Sequence, residues 1–120
     1  MPTLKTYSDL RNIRRWLVFE RGLELYNERY NDSLNHNHVS VLYCLRHHQR
    51  VSRLVDKRKI LWWLGLVRKD ALESRVNKVI KFLTTKGYVE RNGRFWFVTA
   101  AGNTALQDIE RVIKKQRIDR

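Results

Sequence analysis

Apolar side chains recur at helical spacing along most of the chain, and the longest such pattern lies near its start. From Ser8 to about Tyr30 the spacing predicts one long helix, with Ser8 or Asp9 as its N-cap. Its bulkiest apolar positions follow one another at alternating intervals of three and four residues: Trp16, Phe19, Leu23, Tyr26 and Tyr30. This rhythm is typical of a helix that packs along another helix. We therefore expect it to serve in dimerisation.

Two shorter helices are predicted after a polar break at residues 31–37. The apolar positions between His38 and Gln49 share one helical face. A third, short helix is expected over Asp56–Leu64, with Gly65 in the C′ position that glycine favours after a helix. Of the adjacent Trp62 and Trp63, we expect one ring to face the core. The other would cap the edge of the core, line a pocket or meet a partner.

The fourth predicted helix has two faces of opposite character. Asp70 and Glu73 have the spacing of a capping box at its start, and Gly87 ends it. One face is apolar and suited to burial: Leu72, Val76, Val79, Ile80 and Leu83. The opposite face is polar and basic: Ser74, Arg75, Asn77, Lys78 and Lys81. Such a helix can be held by its apolar face while its polar face contacts a partner.

A β-hairpin follows, because two β-type runs are separated by Asn92-Gly93. Both central positions of a type I′ turn need positive φ, which this dipeptide tolerates. The predicted register sets Arg91 opposite Arg94, Glu90 opposite Phe95 and Val89 opposite Trp96. Like charges opposite one another cost up to about 1 kcal/mol, which a phosphate backbone nearby would relieve. Charged residues that only keep a sheet edge soluble are the alternative.

Thr99 is the predicted N-cap of a last helix, over residues 99–118. Its apolar stripe contains Ala105, Leu106, Ile109, Val112 and Ile113. We expect this stripe to join the first helix in a homodimer interface. The residues assigned to that interface are Trp16, Phe19, Leu23, Tyr26, Tyr30, Leu106, Ile109 and Ile113.

Charge indicates what the partner is. The 120 residues carry a formal net charge of +13, of which residues 36–69 alone supply +7. Because the excess lies in the middle of the chain and not at an end, we expect it on a folded surface. A polyanion is the natural partner, with nucleic acid the first candidate and an anionic membrane the second. A uniformly solvated basic surface is the alternative.

The remaining chemistry is sparse. No serine, histidine and carboxylate arrangement or phosphate-binding glycine loop stands out, so we expect neither an enzyme nor a cofactor. The four histidines lack zinc-site spacing, so no metal is expected. Cys44 is the only cysteine and lies beside an apolar helical face, where a small buried hydrophobe is expected over a redox sensor. With no leader and no apolar run near 18 residues, we expect a cytoplasmic, nucleoid-associated protein that has no membrane partner.

Two stretches give the chain a family resemblance. Residues 76–91, VNKVIKFLTTKGYVER, resemble the passage from recognition helix to wing in MarR-type transcriptional regulators, often written V-S-R-x-L-x-x-L-x-x-K-G-L-V-x-R. Residues 98–102, VTAAG, are similar to the L-T-x-x-G that follows the wing there. The resemblance implies a mainly α winged helix-turn-helix with a small β-hairpin wing. It implies one domain over residues 1–120, with a core at 38–98 between dimerisation helices at 8–30 and 99–118.

The resemblance also implies roles for particular residues. It places Ser74, Arg75, Asn77, Lys78 and Lys81 on the side of the recognition helix that faces the DNA groove. Arginine can pair with guanine and asparagine with adenine, so Arg75 and Asn77 are the candidates for reading bases. The wing candidates are Arg91, Asn92 and Arg94. Candidates for contacting the DNA backbone are Arg53, Lys57, Arg58, Lys59, Arg68 and Lys69.

The sequence thus predicts a homodimeric, sequence-specific regulator of transcription that binds double-stranded DNA and acts as a repressor. Regulators of this type often bind small aromatic effectors, although no such site can be identified from this sequence. Two alternatives stay open. One is a nucleic-acid-binding accessory protein without sequence specificity, including architectural, replication, mobile-element and RNA-binding winged helices. The other is a basic module that binds an acidic protein or a membrane surface.

Overall fold

The computed structural model describes the backbone of residues 7–64 and 70–118 and the side chains of residues 17–64 and 73–116. Over this part of the chain the predicted mainly helical fold with a β-hairpin wing is confirmed. Its elements, in order, are α1 (Tyr7–Tyr30), α2 (His36–Arg50), α3 (Lys57–Trp63), α4 (Asp70–Thr85), β1 (Val89–Asn92), β2 (Phe95–Val98) and α5 (Ala100–Ile118). The expected roles of Gly65, the Asp70 side chain and Leu72 lie outside the described residues.

The chain forms two compact units. One consists of the chain up to Leu34 together with the chain from Asp108 onward, and the other is Asn35–Gln107. Helix α5 therefore begins in the second unit and ends in the first. The second unit holds α2, α3, α4 and the hairpin, which are the elements to which the sequence analysis assigned DNA binding. The predicted division between a winged-helix core that ends at residue 98 and a dimerisation helix that begins at residue 99 stays a prediction.

In the first unit α1 and the end of α5 approach each other closely. A methyl group placed on Gly22 would lie 2.5 Å from Cγ1 of Ile113, so only glycine permits this approach. Leu23, the next residue, and Tyr26, one turn further on, are buried. After α1, the Asn27 amide donates to the Leu34 carbonyl (2.9 Å) and accepts from the Leu34 N–H (3.1 Å). This pair of hydrogen bonds folds the chain back against the end of α1.

Helix α2 begins two residues earlier than predicted. Asn35 is its N-cap and accepts from the backbone N–H of His38 at 2.9 Å, while the His38 Nδ1 accepts from the Asn35 N–H at 2.9 Å. A capping box normally uses Glu or Gln at the third helical position. Here the imidazole of His38 has that role. Because histidine is not a usual capping-box residue, the sequence pattern predicts a polar break over residues 31–37 and misses the first two residues of α2.

Hydrogen bonds hold the first turn of the short helix α3 in place. The Asp56 carboxylate caps it by accepting from the Lys59 N–H at 2.9 Å. Immediately before the cap, the Val55 carbonyl accepts from the N–H of Trp96 at 2.8 Å, and Asp56 forms a β-bridge with Phe95. The turn between α2 and α3 is therefore attached to β2, the second strand of the wing.

The wing is the predicted antiparallel hairpin, but the predicted register is wrong, because the turn lies one residue later and each residue of β1 pairs two residues further along the chain. The observed pairs are Val89–Val98, Glu90–Phe97, Arg91–Trp96 and Asn92–Phe95. The two-residue turn is consequently Gly93-Arg94 instead of Asn92-Gly93. Arg91 and Arg94 are not opposite each other, so the repulsion inferred between them across the strands does not occur.

The physical reason lies in the turn and in the base of the wing. Gly93 has a φ of +64°, whereas Asn92 and Arg94 have no positive φ. This is the glycine-first pattern of a type II′ turn, which needs a single residue of positive φ. The observed register sets Val89 directly opposite Val98, and both are buried. The predicted register would set Val89 opposite the half-buried Trp96 instead, so the burial of the two valines against each other favours the observed register.

Hydrogen bonds join the end of α4, the wing and the start of α5. The predicted N-cap at Thr99 is confirmed, because its Oγ1 accepts from the Gly102 N–H at 3.1 Å. The same hydroxyl donates to the Gly87 carbonyl at 2.6 Å, and the Thr99 N–H donates to the Tyr88 carbonyl at 3.0 Å. The K-G and V-T-x-x-G residues that carry the family resemblance therefore meet at one junction and hold it together.

Candidate nucleic-acid interface

Helix α4 presents the two faces that its sequence predicts. Val76 and Leu83 are fully buried, and Val79 and Ile80 are nearly so. The opposite face is exposed along its whole described length: Ser74, Arg75, Asn77, Lys78 and Lys81. That face carries three cationic side chains and one amide on a rigid backbone. The arrangement suits contacts to an anionic backbone together with hydrogen bonds to base edges.

Contacts from α2 and α3 fix the orientation of α4. The rings of His38 and Phe82 stack with centroids 4.1 Å apart and planes 12° apart. Near the start of α4 the Lys57 ammonium lies 2.8 Å from the Glu73 carboxylate. Both partners of this ion pair are partly exposed, so it contributes at most about 1 kcal/mol. The buried apolar face and the stacked rings therefore do most to hold the helix.

The wing arginines lie on the surface, each near an aromatic ring. The Arg91 guanidinium is 6.0 Å from the ring centroid of Trp96, its cross-strand partner, and the Arg94 guanidinium is 5.1 Å from that of Phe95. Arg91, Asn92 and Arg94 are all exposed. Since half-buried aromatic rings support the guanidinium groups, the wing tip carries two positive charges with restricted positions.

The residues predicted to contact the DNA backbone are not equally placed. Arg53 and Arg58 are exposed, and Lys59 is half-buried. Lys57 already pairs with Glu73, so part of its charge is neutralised within the chain. Arg68 and Lys69 lie outside the described residues. The described part of this set thus offers Arg53 and Arg58 as its most accessible cations.

Several of the residues assigned to a dimer interface are buried in the single chain. Leu23, Tyr26, Leu106 and Ile109 are between 0 and 5% exposed. Phe19 and Ile113 are half-buried, Tyr30 is 43% exposed, and the side chain of Trp16 lies outside the described residues. Leu17, in the same helix, is 54% exposed. Among the described side chains of α1, Leu17 and Tyr30 therefore offer a second copy apolar surface, whereas Leu23 does not.

Cys44 and the two tryptophans behave as their sequence context predicts. Cys44 is fully buried; burial raises the pKa of its thiol from the ordinary 9.0 to about 11, although the Lys59 ammonium acts in the opposite direction. A protonated, buried thiol is a poor nucleophile, so this cysteine is not suited to redox sensing. Of the two adjacent rings, Trp63 packs edge-on against His48 with centroids 5.6 Å apart, while Trp62 is 64% exposed.

Gln49 has a positioning role that the sequence did not predict. Its Oε1 accepts from the N–H of Val98 at 2.6 Å, which ties the last turn of α2 to the end of β2. The two residues are 49 positions apart, and no local pattern marks such a contact. A surface pocket lies next to this bond, between α2, β2 and the start of α5.

The described residues contain no cluster of three or more histidine, cysteine, aspartate or glutamate side chains placed to hold a metal ion. None of the helices in the described part is long and apolar enough to cross a membrane.

Comparison with known proteins identifies structural relatives. The chain is similar to the crystal structure of MepR, a transcription regulator of the Staphylococcus aureus multidrug efflux pump MepA. The TM-score is 0.70 at 15% identity, with 95% of this chain and 81% of MepR covered. It is also similar to the MarR-family protein Rv2887 of Mycobacterium tuberculosis, with a TM-score of 0.63 at 15% identity, over 95% of this chain and 79% of that one. No protein-family model matches the sequence, and no curated protein matches it significantly.

These likenesses establish the fold. The chain has the winged helix-turn-helix fold of these structural neighbours.

Proposed function

We propose that this protein is a transcription regulator that binds double-stranded DNA through the exposed face of α4 and the arginines of the wing. The structural neighbours support this proposal, because MepR is a transcription regulator and Rv2887 is a MarR-family protein. In this proposal Arg75 and Asn77 read base edges, while Lys78, Lys81 and the wing contact phosphates. Repression follows if the site overlaps a promoter, because a bound protein then excludes polymerase.

The single observation that carries the proposal is the division of α4 into a fully buried apolar face and a fully exposed basic one. An ordinary surface helix carries charges of both signs. The exposed face of α4 from Ser74 to Lys81 has three cations and no acidic side chain among its described residues. A net charge of +13 for the whole chain favours a polyanionic partner over a neutral one.

We also propose that two copies act together. A twofold dimer would place two α4 helices on successive turns of one face of the duplex, and would predict a pseudo-palindromic site. The exposed Leu17 and Tyr30, together with the half-buried Phe19 and Ile113, offer apolar surface for such a contact. The dimer multiplies the phosphate contacts of a single domain of 120 residues. We place the protein in the cytoplasm, at the nucleoid.

The experiment that tests the site compares two double variants with equal loss of charge. Lys78→Gln/Lys81→Gln removes two cations from the exposed face of α4. Lys114→Gln/Lys115→Gln removes two exposed cations from the end of α5 and serves as the control. Affinity for a fluorescently labelled duplex is measured by anisotropy at several salt concentrations. The slope of log K against log salt counts the phosphates contacted, at about 0.9 per contact.

For the α4 double variant we expect the slope to fall by about 1.8 per protomer, which is about 3.6 for the proposed dimer. For the control we expect a slope within about 0.5 of the wild-type value. Equal reductions in both variants would mean that binding depends on total charge and not on α4. Absence of duplex binding near physiological salt would favour the module that binds acidic proteins or membranes.

A further inference from the structure

Glu73 is the one acidic residue among the described side chains of α4, and it lies beside the basic face of that helix. It precedes Asn77 by four residues and Lys81 by eight, so the three side chains form one row along α4. All three are exposed. A carboxylate at the head of this row requires an explanation, because duplex DNA is itself anionic and would repel it.

An ion pair removes that repulsion. The Lys57 ammonium lies 2.8 Å from Oε1 of Glu73, and the two side chains are 36% and 49% exposed. The carboxylate can therefore approach a duplex as part of a neutral unit and still be reached from outside. An ionised carboxylate has about four acceptor positions on its two oxygens. One ammonium contact thus leaves Glu73 able to accept further hydrogen bonds.

The position of Lys57 is set from outside α4. Lys57 is the first residue of α3 and follows the N-cap Asp56. The Asp56 carboxylate accepts from the Lys59 N–H at 2.9 Å, and Asp56 forms a β-bridge with Phe95 of the wing. The backbone that carries Lys57 is therefore held by α3 and by β2 together. Through the ion pair it directs the Glu73 carboxylate.

The major groove limits what this carboxylate can bind. The amino groups that base pairs present there are N4 of cytosine and N6 of adenine. On adenine the N7 acceptor stands beside N6 and repels a carboxylate, whereas cytosine presents no acceptor beside N4. Arginine and lysine pair with guanine and asparagine pairs with adenine, so the neighbouring side chains of α4 do not serve cytosine.

We propose that Glu73 determines specificity by accepting a hydrogen bond from the N4 amino group of a cytosine, and that Lys57 is its positioning residue. This role rests on the proposed DNA binding by α4. A thymine in the same place presents its O4 acceptor to the carboxylate and is rejected. Each half-site therefore contains a cytosine at the position that faces the start of α4.

The test compares base preferences of the full chain. Duplexes bound by the wild type, Glu73→Gln and Glu28→Gln are selected from one random-sequence library near physiological salt and sequenced. Glu28→Gln is the matched control, because it removes one exposed carboxylate from α1. Anisotropy then measures the affinity of each protein for two duplexes that differ only by C·G or T·A at the assigned position.

We expect the wild type and Glu28→Gln to prefer the C·G duplex by at least about fivefold. Glu73→Gln should lose that preference and select adenine at this position, because a glutamine side chain pairs with adenine. The bases that it selects at the other positions should not change. Both variants lose one negative charge, so an effect of charge alone would be the same in both.

A second pair of variants tests the positioning role. Lys57→Gln removes the ammonium and should reduce the preference for C·G to below about twofold, whereas Lys57→Arg keeps a cation and should retain it. If Lys57 only stabilised the fold, its loss would weaken binding to both duplexes alike and leave the ratio of affinities unchanged. Circular dichroism establishes that each variant is folded. Equal ratios for Lys57→Gln and Lys57→Arg would overturn the positioning role.

Failure of this inference and failure of the proposed function give different results. If the wild type enriches no sequence, the proposed function fails and the role of Glu73 fails with it. If the wild type enriches a site and Glu73→Gln enriches the same site, the role of Glu73 is overturned and sequence-specific binding stands. A Glu73→Gln variant that binds both duplexes more tightly by the same factor would also overturn it, because Glu73 would then only mask the charge of Lys57.

Discussion

At Gly102 the first turn of α5 comes so close to the chain after α4 that no side chain fits. A methyl group on this residue would clash with the carbonyl oxygen of Tyr88, a backbone atom that cannot turn away, and with Cγ2 of Val98 at 2.7 Å. The same Tyr88 carbonyl accepts from the N–H of Thr99. Gly102 thus allows α5 to start directly at the base of the wing.

We predict that Gly102→Ala destabilises the protein by about 1–3 kcal/mol, the range for overpacking a tight contact. The gain in helix propensity, about 1 kcal/mol, is too small to offset the clash. Urea unfolding followed by circular dichroism measures the difference. Thr104→Ala is the control, since Thr104 is exposed on the same helix and should change stability by less than about 0.5 kcal/mol. A variant as stable as the wild type would show that α5 does not approach Tyr88 so closely.

Cys44 gives the protein a predictable sensitivity to alkaline pH. Its thiol pKa is raised from 9.0 to about 11 in the folded chain, so the folded state keeps its proton where the unfolded state has lost it. The stability that results is fully present below pH 9 and is lost as the pH rises through 11. The shift of about two pKa units corresponds to about 2–3 kcal/mol.

The measurement is the free energy of unfolding of wild type and Cys44→Ala between pH 8 and pH 11. Tyrosine and lysine titrations contribute to both proteins, so the difference between the two curves isolates the thiol. We expect the wild type to lose more stability than the variant above pH 9. Parallel curves would contradict the raised pKa.

The sequence predicts correctly which side chains are buried where the position of a residue on its helix determines its exposure. The burial of Val76 and the exposure of Asn77 both follow from the 3.6-residue period. The sequence could not identify Gln49, because the partner of that residue comes from a segment far away in the chain. It also assigned Leu23 and Tyr26 to a partner surface, since an apolar stripe does not reveal whether the same chain or a second one covers it.

At the scale of elements, the wing shows both the strength and the limit of the sequence. Asn92-Gly93 correctly predicted a two-residue turn between two strands. The choice of the two turn residues depended on the burial of Val89 against Val98, which is a tertiary contact. The start of α2 was missed for a similar reason, because His38 serves in the capping box and residue type alone did not indicate it.

The observed register changes what the wing arginines are expected to do. Arg94 occupies the turn itself, and the ring of Phe95 supports its guanidinium. We predict that Arg94→Gln weakens binding to all duplexes alike and lowers the salt slope by about one unit per protomer, because each protomer loses one phosphate contact and no base contact. Salt titrations with two unrelated duplexes measure this. Arg29→Gln, an exposed change in α1, is the matched control. A loss confined to one duplex would indicate that Arg94 reads sequence.

At the scale of the whole molecule, the central question is whether two copies associate through α1. We predict that Leu17→Asp, at a position 54% exposed, raises the dimer dissociation constant at least tenfold and leaves the chain folded. Sedimentation velocity over a range of concentrations measures the association. Val51→Asp is the control, because Val51 is equally exposed at 51% but lies in the other unit.

Leu23→Asp should behave differently from Leu17→Asp. Leu23 is only 5% exposed, and burying a carboxylate there without a partner would unfold the chain instead of merely separating two copies. A wild-type protein that stays monomeric at all concentrations would contradict the proposed dimer. A Leu17→Asp variant that associates as tightly as the wild type would contradict an interface at Leu17.

The fold of the whole chain was predictable because helical periods, one strong turn signal and two short motifs all indicate the same architecture. The division into two compact units was not predictable, because the boundary between Gln107 and Asp108 lies inside α5 and no change in the sequence pattern marks it. The charge of +13 predicted a polyanionic partner at this scale, and a sum of charges carries no information about base sequence.

The sequence-reading role that we propose for α4 can be tested by selecting bound duplexes from a random-sequence library near physiological salt and sequencing them. We expect an enriched inverted repeat with half-sites about one helical turn apart. We also expect that Arg75→Ala and Asn77→Ala each cost about 1–3 kcal/mol on that site and relax its base preference. Retention of DNA without enrichment of any sequence would contradict this role and make the protein a binder of the DNA backbone alone.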